Sequence, residues 1–216
     1  TTAGACTPGR AIGNDLRRES KARRQAGGAA DRAGRLAFIR RLLTVVAKRT
    51  VAARQRGLAP VWGPGTRVLV LGSFPGAASL AAGRYYAHPR NHFWPLLGEL
   101  LRLPLPAWPY ERRVQALGDA GVGLWDTIVA CARDGSLDGS IRDPEWGDPA
   151  VALAAAPAIA LVCFNGQTAA RAQPRWRAAG LATVALPSTS PAYTRPLAEK
   201  LAAWRVVADT LRATDR

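Results

Sequence analysis

The chain has 216 residues, enough for one α/β domain with an appendage and a core of useful size. It carries a formal charge of +15 and no apolar run approaching the ~18 residues that a membrane span needs. It is therefore expected to be soluble, with a polyanionic partner, nucleic acid first.

Cys6, Cys131 and Cys163 stand far apart with no C-x-x-C pair. That spacing excludes a four-cysteine iron–sulfur or zinc site within the chain and disfavours a disulfide framework. No compact apolar segment follows a basic start, which argues against secretion, so the expected compartment is cytoplasmic, beside the nucleoid. The charge is uneven. Residues 1–58 hold 14 Lys and Arg against 3 Asp and Glu; the remainder holds 16 against 12.

Residues 1–34 are rich in Gly, Ala and Arg with little periodicity and are expected to be disordered. From Arg35 to Arg56, Leu36, Ile39, Leu43 and Val46 recur at helical spacing among basic residues, which predicts an amphipathic helix. That helix is either a DNA- or membrane-surface element or a solvated helix on the domain edge. The expected domain boundary follows residue 58, with a compact domain over 59–216.

Within that domain Arg67–Leu71 reads as a buried strand, followed by the Gly72-Ser73-Phe74-Pro75-Gly76 turn. A helix runs from His92 or Phe93 to Arg102, stopped by Pro104 and Pro106. Val114–Ala120 is a short helix, Val122–Val129 a strand, and Asp134–Pro149 a loop. Ile159–Phe164 is a strand, Gly166–Ala179 a helix and Leu181–Leu186 a fourth strand. The last helix is expected from about Thr194, with Pro196 in its first turn, to about Leu211.

Strands alternating with helices predict a three-layer α/β/α fold around a short, mainly parallel sheet of about four strands. Ligands bind such sheets at the carboxyl ends of the strands. Here those ends are Gly72-Ser73, Asp126-Thr127, Asn165-Gly166 and Ser188-Thr189-Ser190.

Several chemistries fail on spacing. Gly72–Gly76 is not a G-x-S-x-G elbow, a P-loop or a dinucleotide fingerprint. His88 and His92 straddle Pro89, so a shared helical face for a metal is not expected, and no metal or cofactor is. What remains is a glycine-rich turn, two tyrosines, an asparagine and a Ser/Thr-rich loop, a set suited to a flat hydrogen-bonding ring near a phosphodiester.

Gly72–Gly76 followed by Tyr86-Ala87-His88-Pro89-Arg90-Asn91-His92-Phe93-Trp94 resembles the uracil-DNA glycosylase superfamily. The mismatch-specific uracil glycosylases carry a comparable G-x-N-P-G and F-A-H-P-x-N-x-F-W. The hypoxanthine-DNA (deoxyinosine) glycosylase group, with G-S-M-P-G, YYAHPRNxFW and LPSTSPA, is closer: Gly72–Trp94 and Leu186–Ala192 match it. The resemblance covers about Arg67 to Trp204 and implies DNA containing a deaminated base as partner. By the same resemblance Gly72, Phe74, Pro75 and Gly76 wall the base pocket, Tyr86 stacks on the flipped base and Asn165 reads its edge. Asn91 is critical, and Ser188, Thr189 and Ser190 press on the DNA backbone.

Phe74 stands where many members have a water-activating Asn or Asp, and Leu186 where others have His or Asn. The chemistry therefore moves to Asn91, with His88 and Ser73 as secondary candidates. Arg90 and Arg195 are candidate phosphate contacts. Asp126 is either catalytic or a structural hydrogen-bond partner. Lys200 is assigned to the last helix, away from the motifs, so a monofunctional hydrolase acting as a monomer is expected rather than a Schiff-base lyase. The alternatives are a glycosylase for uracil or another damaged pyrimidine, and a non-catalytic DNA-binding module with a degenerate pocket.

Overall fold

The structure is a computed structural model that describes residues 54–213. Its centre is a parallel sheet of β2 (Val68–Gly72), β3 (Val122–Asp126), β6 (Leu161–Asn165) and β7 (Thr183–Leu186), in the order β3-β2-β6-β7. The strands are apolar on both faces, as a sheet covered twice requires.

Alternation then sorts the residues. Val68, Val70, Val122, Leu124 and Cys163 pack with α2 (Phe93–Leu101), α3 (Tyr110–Asp119) and α7 (Leu197–Ala213) through Phe93, Leu97, Leu117, Trp204 and Val207. Leu69, Leu71, Trp125, Val162 and Phe164 pack against α4 (Pro149–Ala155), α5 (Gln167–Ala170) and α6 (Gln173–Ala178), with Trp176 at the centre. The three-layer α/β/α architecture is thus the one the sequence predicts.

A second sheet departs from that expectation. β1 (Arg54–Arg56), β4 (Ile128–Ala132) and β5 (Arg142–Trp146) form an antiparallel sheet in the order β1-β4-β5. The strand predicted over Val122–Val129 breaks at Thr127, where the chain turns from one sheet into the other. Thr127 N–H donates to Gly72 O and Ile128 N–H to Ser73 O, so the break wraps the first motif. The predicted loop over Asp134–Pro149 contains β5, and the amphipathic helix does not reach Arg56, because Arg54–Arg56 pairs with β4 instead. The rest of that helix and the expected disordered tail lie outside the described residues.

A short helix, α1 (Ala77–Ala82), follows the first motif where none was predicted. The predicted helix over Gly166–Ala179 is two, and the last helix begins at Leu197, after Pro196. Among the described residues no helix is long and apolar enough to cross a membrane.

Candidate active site

The carboxyl ends of the parallel strands and the loop after β7 surround a cavity of about 650 Å³. Its floor begins where β2 and β3 end side by side, with Gly72 the register partner of Asp126. A Cβ on Gly72 would run into Asp126 Oδ1 and come within 3.7 Å of the Tyr86 hydroxyl. Glycine therefore leaves the space in which the carboxyl group lies. Asp126 is 5% exposed, and its Oδ2 has no hydrogen-bond partner. Burial is the main cause that pushes its pKa up to about 7, the charge of Asp138 adds to it, and Arg133 opposes both. A neutral carboxylic acid is thus available at this strand end near neutral pH.

Tyr86 sits at φ +54°, a left-handed conformation that costs a non-glycine residue roughly 1–3 kcal/mol. Backbone bonds on both sides hold it there: Tyr85 N–H donates to the Tyr110 hydroxyl at 3.0 Å and Ala87 N–H to Ser79 Oγ at 3.2 Å. The result is a ring stacked on Phe93, with centroids 3.7 Å apart and planes 16° apart. Phe93 covers one face of a ring that lines the cavity. The Tyr86 hydroxyl is buried beside Asp126 and Asn165 without a well-formed hydrogen bond, and burial, then the Asp126 charge, raises its pKa.

The opposite wall is tied together. Asn165 Nδ2 donates to Thr189 Oγ1 and Asn165 Oδ1 accepts from Thr189 N–H, both at 2.9 Å. Each amide atom keeps one further donor or acceptor position. Thr189 is fully buried, and its carbonyl accepts from His92 N–H at 3.0 Å. At Gly166, φ is +99° and a Cβ would lie 3.0 Å from Ser188 Cβ, so glycine permits both the turn and the close packing of the two loops. Ser188 Oγ accepts from Ser190 N–H, and Ser190 Oγ from Ala192 N–H.

Asn91 and His88 also border the cavity. Asn91 Oδ1 accepts from Phe93 N–H at 3.0 Å at the start of α2, which leaves its amide nitrogen as the group free to meet a ligand. His88 Nδ1 accepts from Arg90 N–H at 3.2 Å, so in the neutral ring Nε2 carries the proton.

Four expectations change. Phe74 lines the cavity, but most of its ring is turned inward: it is 6% exposed, packs with Ile128 and Cys131, and lies under the Arg133 guanidinium at 4.7 Å. Ser73 lines the cavity with its hydroxyl already engaged, its Oγ donating to the Asp138 carboxylate at 2.9 and 2.8 Å. Thr189 is too buried to touch DNA and instead orients Asn165. Lys200 is not remote from the motifs: fully buried, its Nζ donates to Tyr193 O at 2.7 Å and lies 3.3 Å from His92 Nδ1.

The remaining residues fall on the walls or outside them. Pro75 and Gly76 line the cavity, and Pro75 O accepts from Arg133 at 2.7 Å. Arg90 is exposed and does not line the cavity. Arg195 is exposed as well, 3.5 Å from Glu199, and does not line the cavity. Tyr85 fills the edge of the core and donates to Ala59 O at 3.1 Å. An adjoining cavity of about 530 Å³, between Trp94, Trp108, Tyr110 and Arg113, shares Tyr86, His88 and Asn91 but not the Gly72–Asp126 floor. Among the described residues no three His, Cys, Asp or Glu side chains gather as metal ligands.

A family model described as the Uracil DNA glycosylase superfamily matches residues 60–212. The chain belongs to that superfamily. A hypoxanthine DNA glycosylase of Methanosarcina barkeri is 37% identical over 151 residues, 70% of this chain and 96% of that protein. A hypoxanthine DNA glycosylase of Methanosarcina acetivorans is 35% identical over 153 residues, 71% of this chain and 97% of that protein. A solution NMR structure of a candidate uracil DNA glycosylase from Methanosarcina acetivorans superposes with a TM-score of 0.67 at 33% identity, covering 74% of this chain and 99% of that one.

Within this superfamily member, Asp126, Asp138 and Lys200 are what sequence reasoning missed or left open. Asp126 had a signal, a carboxylate directly after an apolar strand. Lys200 had one too: with Trp204, Val207 and Leu211 it falls on the buried stripe of α7.

Proposed function

We propose that the protein is a DNA glycosylase that hydrolyses the N-glycosidic bond of a deaminated base flipped out of DNA, hypoxanthine first. The observation that carries the reading is a pair of buried polar atoms without a well-formed hydrogen bond, Asp126 Oδ2 and the Tyr86 hydroxyl, beside a cavity-lining ring backed by Phe93. A base stacked there supplies a partner to Asp126 Oδ2. The two relatives named hypoxanthine DNA glycosylases support hypoxanthine as the base. It presents N1–H as a donor and O6 and N7 as acceptors, a mixture that a neutral carboxyl and the free positions of the Asn165 amide match.

Cleavage passes through a cation-like sugar while negative charge grows on the departing base. A protonated Asp126 donates to that base, whereas the ionised form would repel it. Asn91, an amide without useful basicity, positions the water or the sugar. His88 offers Nε2–H at the same rim. Ser188 and Ser190 keep hydroxyl protons for phosphate, with Arg90 and Arg195 as outer contacts. In this reading the protein acts as a monomer, by hydrolysis and without a cofactor.

The test is excision from duplexes carrying inosine, uracil or normal bases, read as alkali-labile abasic sites. Inosine is expected to be cut fastest, and Asn91→Ala to lose about 10²-fold or more with its circular dichroism unchanged. Preferred cutting at uracil would move the assignment to a uracil glycosylase. No cutting of any duplex, with salt-sensitive binding retained, would leave a DNA-binding module in place of an enzyme.

A further inference from the structure

The adjoining cavity of about 530 Å³ lies within the roughly 300–1,000 Å³ of small-ligand sites, and excision of a flipped base does not use it. Tyr85, Tyr86, His88 and Asn91 line both cavities, so a single wall of side chains separates them. The far side is aromatic and basic. Trp94, Trp108 and Tyr110 stand there beside Arg84 and Arg113, and among the described residues no Asp or Glu lines it.

Guanidinium groups are laid over these rings. Arg112 stands 4.0 Å from the centre of the Trp108 ring, Arg113 5.3 Å from that of Trp94 and Arg84 5.3 Å from that of Tyr110. Arg113 is fixed in place: Nε donates to Trp108 O at 2.7 Å and Nη2 to Pro106 O at 3.0 Å. Arg84 is offset by Glu111 at 2.7 Å, but among the described residues Arg112 and Arg113 meet no carboxylate. Both sit near the N-terminal end of α3, which no side chain caps and where the helix dipole favours anions over cations. Positive charge left without an internal partner, beside an aromatic cavity, matches an anion that carries a flat ring.

We propose that this cavity binds a second nucleotide of the lesion-bearing strand, its base against Trp108 and Tyr110 and its phosphate at Arg112 and Arg113. This rests on the glycosylase reading given above and adds a binding site to it. Aromatic side chains interleaved with arginines hold single-stranded nucleic acid by stacking on bases and by charge, with little regard to sequence. The wall shared with the base cavity makes the occupant a near neighbour of the target. Proline-rich peptides also dock on aromatic grooves, but they bring no charge to the two arginines. Such a site needs no complementary base, so it grips a strand that is already unpaired.

The test uses single strands carrying inosine in which a base one or two positions to either side is replaced, one at a time, by a tetrahydrofuran gap. The unaltered protein is expected to lose about tenfold in kcat/KM at one of these positions, the loss of one stacked base. Trp108→Ala should lose about as much on the intact strand and become indifferent to that gap, whereas Trp108→Phe should keep the pattern. Arg112→Gln, an exposed change expected to leave the melting temperature unaltered, should lower the slope of log Kd against log salt by about 0.7, one phosphate contact on a single strand. No loss at any gap, an equal loss in Trp108→Ala on every strand, or an unchanged salt slope in Arg112→Gln would overturn the site. Saturable binding of a polyproline peptide that Trp108→Ala removes, with no gap effect, would give the cavity to a protein partner and overturn it as well. If the unaltered protein cuts no inosine strand, the glycosylase reading itself fails, and the same gap series read as binding by fluorescence anisotropy decides the cavity on its own.

Discussion

On the β6–β7 side of the cavity the polar groups are bonded to one another; on the β2–β3 side Ser73 and Asp138 are, but two buried polar atoms are left open. Asn165 and Thr189 satisfy each other twice, Thr189 reaches His92, and Lys200 closes the far end through Tyr193 O. Across the cavity, Asp126 Oδ2 and the Tyr86 hydroxyl are buried and left without partners. An unmade hydrogen bond in a buried place costs about 1–3 kcal/mol, so the fold carries that cost on one side only. The difference separates two jobs. A wall whose bonds are complete fixes geometry, and a wall with open bonds waits for a ligand to complete it.

Asp126 gives the sharpest way to break this division. Asp126→Ala is expected to lower inosine excision by about 10²–10³-fold, the loss usual for one donor aimed at developing charge. Asp126→Asn keeps a donor and an acceptor in place and should lose far less. Because the neutral acid is the working form, excision by the unaltered protein should fall as pH rises through about 7, and the Asn variant should lose that fall.

Stability follows the same group with a definite sign. The native carboxyl keeps its proton up to about 7, while the unfolded chain releases it near ~3.9. Stability therefore drops as pH rises between those values, and the whole cost is present above them. Asp126→Asn should be more stable at pH 8, by on the order of 2–4 kcal/mol in urea melts, and no more stable at pH 3. A flat pH–rate profile in the unaltered protein would remove Asp126 from the chemistry.

The same contrast explains what could be read from the chain. The parallel strands were legible because β2 and β6 are short apolar runs ended by Gly72 and Asn165, and burial on both faces writes itself directly into composition. Cys163 fits the same rule: burial inside β6 pushes its thiol up to about 12, as expected of a core residue rather than a nucleophile. The second sheet was hidden because β5, Arg-Asp-Pro-Glu-Trp, is almost wholly exposed and has no apolar alternation to reveal it. The site was half legible. The family resemblance implied Tyr86, Asn91 and Asn165 as pocket residues, and all three line one cavity, but the direction of a side chain at a sharp turn depends on partners far along the chain. Ser73 turns to Asp138, 65 residues on, and Phe74 to Ile128 and Cys131, which reach it only because the chain bends at Thr127.

The bonded wall makes the opposite prediction to Asp126. Thr189→Val keeps the shape and the Thr189 N–H to Asn165 Oδ1 bond but removes the acceptor for Asn165 Nδ2. One lost bond is worth about 1 kcal/mol, a fall in melting temperature of roughly 2–4 °C. Excision should fall about tenfold through kcat as the Asn165 amide loses its fixed plane, with the pH dependence near 7 unchanged. A changed pH profile would mean that the two walls are electrostatically coupled rather than separate.

Lys200 carries the smallest expected effect on the chemistry, although it is the group whose position differs most from its reading in the sequence. An amine beside a glycosylase motif invites the question of a Schiff base, and burial lowers its pKa, as a nucleophilic lysine would need. Its geometry answers otherwise. Nζ is fully enclosed, spends a 2.7 Å bond on Tyr193 O, meets His92 and does not line the cavity. A sugar carbon could reach it only if the Ser188–Tyr193 loop unfolded. Borohydride added during inosine excision should therefore trap no covalent complex. Lys200→Met should keep hydrolysis within a few-fold and show its loss in KM for duplex DNA, because the lysine holds the loop proposed to meet the DNA backbone. A trapped complex that disappears in Lys200→Met would make this lysine a nucleophile and the bonded wall a catalytic one.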